Sequence, residues 1–275
     1  MHPNCGLYAS TYKKLTTMST VIYPSPVFGP VHSRRLGVSL GINLLPSDGK
    51  VCSFDCIYCE CGYNASHRAH AKLPTAEEVR QTLESRLKEM KEHGPAPDVL
   101  TFAGNGEPTL HPDFARIALD VAALRDQYFP QARMSLLSNA TRIHLEEVRK
   151  ALLCFDNILL KLDTVSEEYI RRVDRPCGHY SVEEQMKWLT ELHERITIQT
   201  MFMKGTHEGE DVNNCKEEFI VPWLEALSSI RPRMVTIYTI DRETPSPLLE
   251  KASREELDAI GGRVRELGIP CSVSY

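Results

Sequence analysis

Residues 50–64 read KVCSFDCIYCECGYN, and they decide how the rest of this chain is interpreted. Cys52, Cys56 and Cys59 form a C-x3-C-x2-C pattern, and Cys61 follows shortly after the last of them. Thiolate is a soft ligand that suits iron–sulfur clusters and zinc. Because spacings of two and three residues let one short loop direct several sulfurs at a single centre, the stretch predicts a metal site.

Three interpretations of this loop remain open on the residues alone. In a zinc site Cys61 would be the fourth ligand, although structural zinc usually takes two separated pairs of ligands. In a [4Fe–4S] cluster, Cys52, Cys56 and Cys59 would hold three irons and leave the fourth iron open for another ligand. Reduced, buried thiols without a metal are the third interpretation, and three cysteines at this spacing beside Tyr58 do not favour it. The cluster interpretation predicts that the sulfur of Cys61 points away from the other three.

The composition is that of a water-soluble globular protein. The chain has 275 residues, of which 42% are hydrophobic and 25% charged, and its formal net charge is −5. An acidic balance argues against a dominant basic surface for nucleic acid. Nine cysteines, clustered rather than spread, indicate metal binding more than disulfides. No apolar run approaches the roughly 20 residues that cross a bilayer, and the sequence predicts a cytoplasmic protein with no membrane contact.

The first residues carry no clear pattern of either secondary-structure period. We treat residues 1–25 as an N-terminal extension, for which disorder is one interpretation, and either Met1 or Met18 as the native start. Residues 26–275 are expected to form one domain, because α/β folds of this length often have a single core.

Short apolar runs alternate with amphipathic segments along this domain. Nearly continuous apolar runs indicate strands that are buried on both faces, as in a parallel sheet, so six β-α units in order predict an α/β fold, either an open sheet or a complete or partial barrel. Chemistry in such folds gathers at the carboxyl ends of the strands. The predicted strands are 38–44, 99–103, 133–138, 157–163, 196–203 and 234–241, and the predicted helices lie near 76–92, 113–127, 145–153, 181–194, 214–229 and 253–267.

Polar residues follow the second predicted strand. Gly104, Asn105, Gly106 and Glu107 indicate backbone that lies close to a ligand, with a carboxylate beside it. The alternative is a glycine-rich turn in which Glu107 and His111 cap the next helix.

The third and fourth predicted strands also end in polar residues. Ser138 and Asn139 can hold the hydroxyl or carboxylate groups of a ligand, or they can cap a helix. Lys161 and Asp163 are two residues apart in a strand and therefore point to one face. In so apolar a strand an inward pair is costly without a partner, which favours a functional pair over an outward Lys161 at the sheet edge.

Two further groups of residues have a functional and a structural interpretation. Gln199 and Tyr238, on the fifth and sixth predicted strands, contact a ligand or pack in the core. Basic side chains bind an anionic substrate or form surface ion pairs. These basic residues are Arg34 and Arg35, then Arg171, Arg172 and Arg175 with His179.

The cysteine pattern, with an aromatic residue directly before the last cysteine, resembles the signature of radical S-adenosylmethionine (SAM) enzymes. The resemblance implies a single-domain partial (β/α)6 barrel of parallel strands. It also implies that Cys52, Cys56 and Cys59 hold a [4Fe–4S] cluster whose open iron is chelated by SAM. In that family one electron from the reduced cluster cleaves SAM to methionine and a 5′-deoxyadenosyl radical, and the radical abstracts hydrogen from the substrate. The protein positions the cofactors and excludes water.

The resemblance extends to the residues after the second strand. Residues 104–107 match the family's G-G-E motif, which binds the methionine amino group of SAM, with Asn105 in place of the first glycine of the triplet. A reductant such as flavodoxin or ferredoxin is implied as a partner. The cofactor-binding residues that follow from the resemblance and from position are Asn105, Gly106, Glu107, Ser138, Asn139, Lys161, Asp163, Gln199 and Tyr238.

One branch of the family is similar over residues 26–245. Residues 29–46, GPVHSRRLGVSLGINLLP, look like those of proteins related to wyosine-type tRNA synthetases, which use pyruvate to enlarge methylguanosine in tRNA. Those enzymes carry a second cluster on extra N-terminal cysteines, whereas here Cys5 alone precedes the main motif. We therefore expect a radical SAM enzyme, of oxidoreductase or lyase type, with an unassigned substrate. The alternatives are tRNA modification, activation of a partner protein by hydrogen abstraction, and a non-enzymatic electron carrier.

Overall fold

A computed structural model of the chain describes residues 20–33 and 37–275. Our expectations for Cys5, Met18, Arg34 and Arg35 lie outside these residues, as does the larger part of the expected N-terminal extension. Residues 20–25 are in contact with the domain, since the backbone N–H of Val21 donates to the carbonyl of Glu60 at 2.9 Å. This last part of the expected extension is thus bonded to the cysteine loop, and the domain boundary stays a prediction.

The centre of the molecule is an eight-stranded sheet whose strands follow the order β1-β2-β3-β4-β5-β6-β9-β11. β1 pairs with β2 antiparallel, and each of the other neighbouring pairs is parallel. These strands are β1 (Val27–Ser33), β2 (Gly37–Ile42), β3 (Val99–Phe102), β4 (Arg133–Ser138), β5 (Asn157–Lys161), β6 (Ile196–Met201), β9 (Met234–Tyr238) and β11 (Cys271–Ser274). The sheet is open, with β1 and β11 at its edges, which confirms the α/β class and a barrel that does not close.

Helices connect the parallel strands. Their bounds are α1 (Ala76–His93), α2 (Phe114–Tyr128), α3 (Glu146–Ala151), α4 (Glu167–Val173), α5 (Val182–Glu191), α6 (Glu217–Ile230) and α7 (Arg254–Glu266). The capping boxes that begin α1 and α7 form as the sequence indicates, with Thr75 and Ser253 as the cap residues. In the described part of the chain, no helix combines the length and the apolar character needed to span a bilayer.

The six predicted strands and six predicted helices are all present, but five further strands and α4 were not predicted. The additional strands are β1, β11 and a small sheet of order β10-β7-β8, formed by β7 (Met203–His207), β8 (Glu210–Asp211) and β10 (Leu249–Lys251). Most of their sequences are short or polar, such as MKGTH in β7 and CSVS in β11, and β1, VFGPVHS, is interrupted by Gly29 and Pro30. Such strands form because neighbouring backbone is available for pairing, and hydrophobic periodicity carries no signal for them.

Two groups of buried side chains make up the interior. The larger group lies between the sheet and its helices, and it includes Leu40, Phe102 and Trp223. The smaller group packs under the cysteine loop and includes Phe54, Ile57 and Tyr169. The carboxyl ends of all the parallel strands lie at the same end of the sheet, and the cysteine loop covers this end.

Candidate active site

The cysteine loop follows β2, and its backbone is hydrogen-bonded to the segment after β3 and to the end of α4. Val51 donates its N–H to the carbonyl of Asn105 at 2.9 Å, and Glu107 returns an N–H to the carbonyl of Val51 at 3.1 Å. Farther along, Ile57 donates to the carbonyl of Val173 at 2.9 Å. The loop therefore lies directly over the ends of the central strands, where the sequence predicts the chemistry.

Each of the first two predicted cluster ligands faces a strand-end side chain. The amide nitrogen of Asn139 lies 3.6 Å from the sulfur of Cys52, and the ammonium of Lys161 lies 3.9 Å from the sulfur of Cys56. Burial raises the pKa of the Cys52 thiol to about 12 and also raises that of Cys56. The thiolate forms of both residues are therefore strongly disfavoured unless a positively charged partner stabilises them.

Cys59 and Cys61 lie side by side. A hydrogen bond from Cys61 lowers the pKa of Cys59 to about 6, and the pKa of the second thiol is raised for the same reason. The sulfur of Cys61 also lies 3.6 Å from the carbonyl of Gly104. The tight turn from Cys59 to Gly62, closed by a 2.8 Å backbone bond, keeps Cys61 near Cys59, and the assignment of three rather than four cluster ligands stays a prediction.

The donor set fits a cluster better than a single ion. Among residues 20–33 and 37–275, no three His, Cys, Asp or Glu side chains are arranged to hold one metal ion. Cys52, Cys56 and Cys59 instead lie at separate points of one loop, and all three interact electrostatically with the same ammonium, that of Lys50. A [4Fe–4S] cluster takes thiolates at separate iron atoms, so this spread set of soft donors suits it.

The carboxylate of Glu107 is buried and joins the ends of β3 and β4. Its Oε1 accepts hydrogen bonds from the hydroxyls of Thr109 and Ser138 and from the Thr109 N–H, while Oε2 accepts the N–H of Asn139 at 2.7 Å. Burial raises the pKa of this carboxyl. Glu107 also caps the short 3-10 turn Pro108–Leu110, so the capping interpretation holds, though for this turn and not for α2.

Asn105 and Gly106 play structural parts next to Glu107. The side-chain amide of Asn105 donates to the carbonyls of Tyr23 and Pro46, both at 2.8 Å, and its oxygen accepts the N–H of Tyr23. Asn105 has no exposed surface, so this geometry does not favour its predicted contact with a cofactor. Gly106 has a φ of 130° and forms a β-bridge with Val51, and a Cβ at this position would overlap the carbonyl of Val51, so the cysteine loop packs directly against this glycine.

Ser138 and Asn139 lie between Glu107 and the cysteine loop. Ser138 donates to Glu107 at 2.9 Å. Asn139 donates through its amide nitrogen to the hydroxyl of Ser53 at 2.9 Å and accepts from Thr141 through its oxygen. Both side chains are buried at the carboxyl end of β4 and connect the cysteine loop to the sheet.

Lys161 points inward, and an outward position at the sheet edge is excluded. Its ammonium lies 2.9 Å from Asp163 and 3.3 Å from Asp174, and it contacts the hydroxyl of Tyr58. Burial opposes a charged lysine, but the two carboxylates and Cys56 outweigh it, and the pKa of Lys161 lies above its ordinary value. Burial likewise raises the pKa of Asp174 to about 7.

Asp174 and Lys50 are site residues that sequence reasoning missed. Asp174 follows the unpredicted helix α4, and its carboxylate accepts the Cys56 thiol at 3.5 Å. Lys50 stands two residues before Cys52, and its place in the motif stretch was the available signal. Neither position belongs to a hydrophobic pattern, so periodicity does not reveal them.

Gln199 and Tyr238 line a cavity of about 250 Å³ beside the cysteine loop. Both side chains are partly exposed, and Tyr238 also packs against the smaller group of buried side chains, so it both lines the cavity and makes a core contact. The cavity also has an ion pair at its wall, where Arg242 contacts Glu60 at 2.6 Å. Its other lining residues are Tyr58, Met201, Thr239, Ile240, Asp241, Thr244, Ser274 and Tyr275.

The basic cluster near α4 is matched by carboxylates. Arg171 and Arg172 pair with glutamates of their own helix, and Arg175 lies 3.6 Å from Asp55. His179 lies 3.6 Å from Glu184. These pairs correspond to the surface interpretation, and they give an anionic substrate no specific support.

The family model described as the radical SAM superfamily matches residues 47–215, which is more than half of the chain and contains every candidate cluster ligand. The chain belongs to the radical SAM superfamily. Its cofactors are therefore a [4Fe–4S] cluster and SAM, which the superfamily cleaves.

Curated relatives place the chain more narrowly. It is 30% identical over 235 residues to a UPF0026 protein of Helicobacter pylori strain J99, covering 84% of this chain and 71% of the relative, so it also belongs to that family. A protein named GTPase Obg from Brachyspira hyodysenteriae is 28% identical over 233 residues, covering 84% and 32%. A UPF0026 protein of Methanocaldococcus jannaschii is 37% identical over 150 residues, covering 54% and 44%. The chain thus spans less than half the length of these last two relatives.

Solved structures share the fold of this radical SAM chain. A radical SAM methyltransferase from Sphaerobacter thermophilus superposes with a TM-score of 0.61 at 14% identity, covering 86% of this chain and 66% of the other. Streptococcus suis SuiB bound to S-adenosylmethionine gives a TM-score of 0.60 at 14% identity, covering 85% and 50%. At such identities the likeness concerns the fold, and it confirms the expected partial barrel.

Proposed function

We propose that Cys52, Cys56 and Cys59 of this radical SAM protein bind the [4Fe–4S] cluster, and that the ends of β3 to β5 hold SAM against it. One observation carries this proposal: strand-end side chains touch the cysteine sulfurs, with Asn139 beside Cys52 and Lys161 beside Cys56. The protein groups that would bind a cofactor in contact with both the cluster and the strand ends are therefore close together. When bound, the two cofactors supply a radical that abstracts hydrogen from a substrate.

The residues at the strand ends have separate roles in this proposal. Glu107 receives the amino group of SAM, because a carboxylate offers about four acceptor positions and its Oε2 accepts only one bond from the described residues. Ser138 and Asn139 fix that carboxylate and hold polar groups of the ligand. Lys161, held by Asp163, presents a positive charge toward the same space.

The substrate is proposed to occupy the cavity lined by Gln199 and Tyr238. This cavity of about 250 Å³ adjoins Tyr58, so it opens next to the cluster motif. Its walls mix aromatic, amide and hydroxyl groups with the Glu60–Arg242 ion pair, which suits a polar organic group. A one-electron reductant of the flavodoxin or ferredoxin class is the proposed partner.

Anaerobic reconstitution with iron and sulfide tests the cluster assignment. Alanine at Cys52, Cys56 or Cys59 is expected to abolish the visible absorption and the bound iron. Cys61→Ala is expected to keep iron near the wild-type content, and Cys271→Ala, on β11, is the remote control. Equal loss of iron in Cys61→Ala and Cys56→Ala would contradict a three-cysteine site.

Incubation of the reconstituted protein with dithionite and SAM tests the enzymatic assignment. Formation of 5′-deoxyadenosine is expected, whereas a non-enzymatic electron carrier would be reduced without forming it. Separate additions of tRNA, small organic anions and partner-protein extract then distinguish the substrate classes, because the true substrate accelerates this turnover. No acceleration by tRNA would exclude the tRNA-modifying alternative for the substrate tested.

A further inference from the structure

Lys50 is a buried cation inside the cysteine loop. Its side chain is 1% exposed, and its ammonium donates to the carbonyl of Gly62 at 2.7 Å. The backbone N–H of Lys50 donates to the carbonyl of His67 at 2.7 Å, so the residue connects both ends of the loop. A lysine is almost never fully buried unless a specific partner compensates the cost of removing its charge from water.

The ammonium of Lys50 lies among the three candidate cluster ligands. The ammonium is buried within the loop that carries these three residues, and its charge acts on the sulfurs of Cys59, Cys52 and Cys56. The Gly62 carbonyl that it binds belongs to the turn in which the Gly62 N–H donates to the carbonyl of Cys59 at 2.8 Å. An ammonium has three donors, of which one is used by Gly62, so the others are available to sulfur.

The carboxylates nearby do not neutralise this cation fully. Lys50 has one carboxylate, Asp55, at 3.6 Å, and that carboxylate also lies 3.6 Å from the guanidinium of Arg175. Two positive charges, those of Lys50 and Arg175, thus share the one negative charge of Asp55. Lys161, on the other side of the loop, faces two carboxylates, at 2.9 Å and 3.3 Å, so its charge is compensated more fully than that of Lys50. Lys50 therefore places a positive charge next to the thiolates that one shared carboxylate compensates only in part.

We propose that Lys50 is a positioning residue that compensates the charge of the thiolates and favours the reduced cluster. This inference rests on the proposed function, because it requires Cys52, Cys56 and Cys59 to hold the cluster. Reduction adds one electron, from a donor of the flavodoxin or ferredoxin class or from dithionite, and so adds one negative charge next to Lys50. Net charge and hydrogen bonds to sulfur are established determinants of the potential of such clusters.

The test is the midpoint potential of the reconstituted cluster, followed by electron paramagnetic resonance during a redox titration without SAM. Lys50→Met removes the charge and the donor, and Lys50→Gln removes the charge but keeps a donor for Gly62. Both are expected to lower the equilibrium constant for reduction by about tenfold, or about 59 mV for one electron. Lys72→Met removes an exposed lysine and is expected to leave the potential unchanged.

A wild-type potential in Lys50→Met or Lys50→Gln would overturn the inference, and the cluster assignment would stand. A wild-type protein that binds no cluster through the three cysteines would overturn the assignment itself. If neither Lys50 variant folds, Asp55→Asn decides, because it removes the one carboxylate that compensates Lys50. A raised midpoint potential in Asp55→Asn is then expected, and an unchanged one would overturn the inference.

Discussion

At the scale of single residues, Glu107 shows how one side chain serves both the fold and the site. Its carboxylate caps a short turn, accepts from Ser138 and Asn139, and is proposed to bind the amino group of SAM. From the sequence, capping and ligand binding read as alternatives. The structure makes them compatible, because the same two oxygens have acceptor positions for both.

Replacing Glu107 with glutamine is expected to weaken both the fold and SAM binding. In either orientation of the new side-chain amide, its NH2 group points at an N–H or O–H donor and cannot replace the acceptor oxygen. The loss of one charge-assisted hydrogen bond costs about 1.5–3 kcal/mol of unfolding free energy. SAM affinity is expected to fall by about 10- to 100-fold for the same reason. Thermal denaturation and titration of SAM into the reconstituted variant measure the two effects.

Glu225→Gln is the matched control, since Glu225 is an exposed glutamate on α6. It is expected to change the unfolding free energy by no more than about 0.5 kcal/mol. Equal thermal stability of the two variants would show that the buried hydrogen bonds of Glu107 carry little weight. Unchanged SAM affinity in Glu107→Gln would remove Glu107 from the proposed binding site.

At the scale of elements, the cysteine loop depends on the end of β3 for its position. Gly106 lies in a backbone conformation that favours glycine, and a Cβ there would come within 1.9 Å of the carbonyl oxygen of Val51. The neighbouring N–H of Glu107 donates to that same carbonyl. A side chain at Gly106 would therefore push the loop away from the strand ends.

Gly106→Ala is expected to destabilise the protein and to reduce its iron content after reconstitution. The overlap with backbone cannot be relieved by a side-chain rotation, and such overpacking costs about 1–3 kcal/mol. Gly262→Ala is the control, because Gly262 lies in α7 and a Cβ at this position would meet no other atom within 4 Å. It is expected to stabilise the helix by roughly 0.5–1 kcal/mol. Urea denaturation measures both, and equal stabilities would contradict the expectation.

At the scale of the whole molecule, α6 packs against the open sheet near the carboxyl ends of its strands. Trp223 on α6 is fully buried, packs edge-on against Phe202 at 5.3 Å, and donates its indole N–H to the carbonyl of Leu162. It thus joins a helix to the segments that follow β5 and β6. Trp188, on α5, is only partly buried and lies beside the guanidinium of Arg149.

Trp223→Ala is expected to cost about 3–5 kcal/mol of unfolding free energy, because it leaves a cavity and removes one of the two side-chain hydrogen bonds to the carbonyl of Leu162. Trp188→Ala is expected to cost much less, since exposed cation–π contacts contribute about 0.5–1 kcal/mol. Chemical denaturation followed by circular dichroism compares the two variants without relying on tryptophan fluorescence. A smaller loss for Trp223→Ala than for Trp188→Ala would contradict this description of the core.

The sequence by itself determined the alternation of strands and helices and the cysteine motif. Both are local properties of the chain. The apolar residues of a strand such as Arg133–Ser138 indicate by themselves that it is buried, and Cys52, Cys56 and Cys59 are close together along the sequence. The resemblance of the motif led to the superfamily and its cofactors, which the family comparison confirms. The assignment of individual ligands stays a prediction.

Only the tertiary structure decided which side chains meet. Tyr58 and Asp163 contact each other although 105 residues separate them in sequence. The side chain of Asn105 is held away from the site by a hydrogen bond to the carbonyl of Tyr23, 82 residues away. The partial compensation of the charge of Lys50 likewise depends on where Asp55 and Arg175 come to lie. Such contacts follow from sheet order and loop path, which hydrophobic periodicity along the chain does not encode.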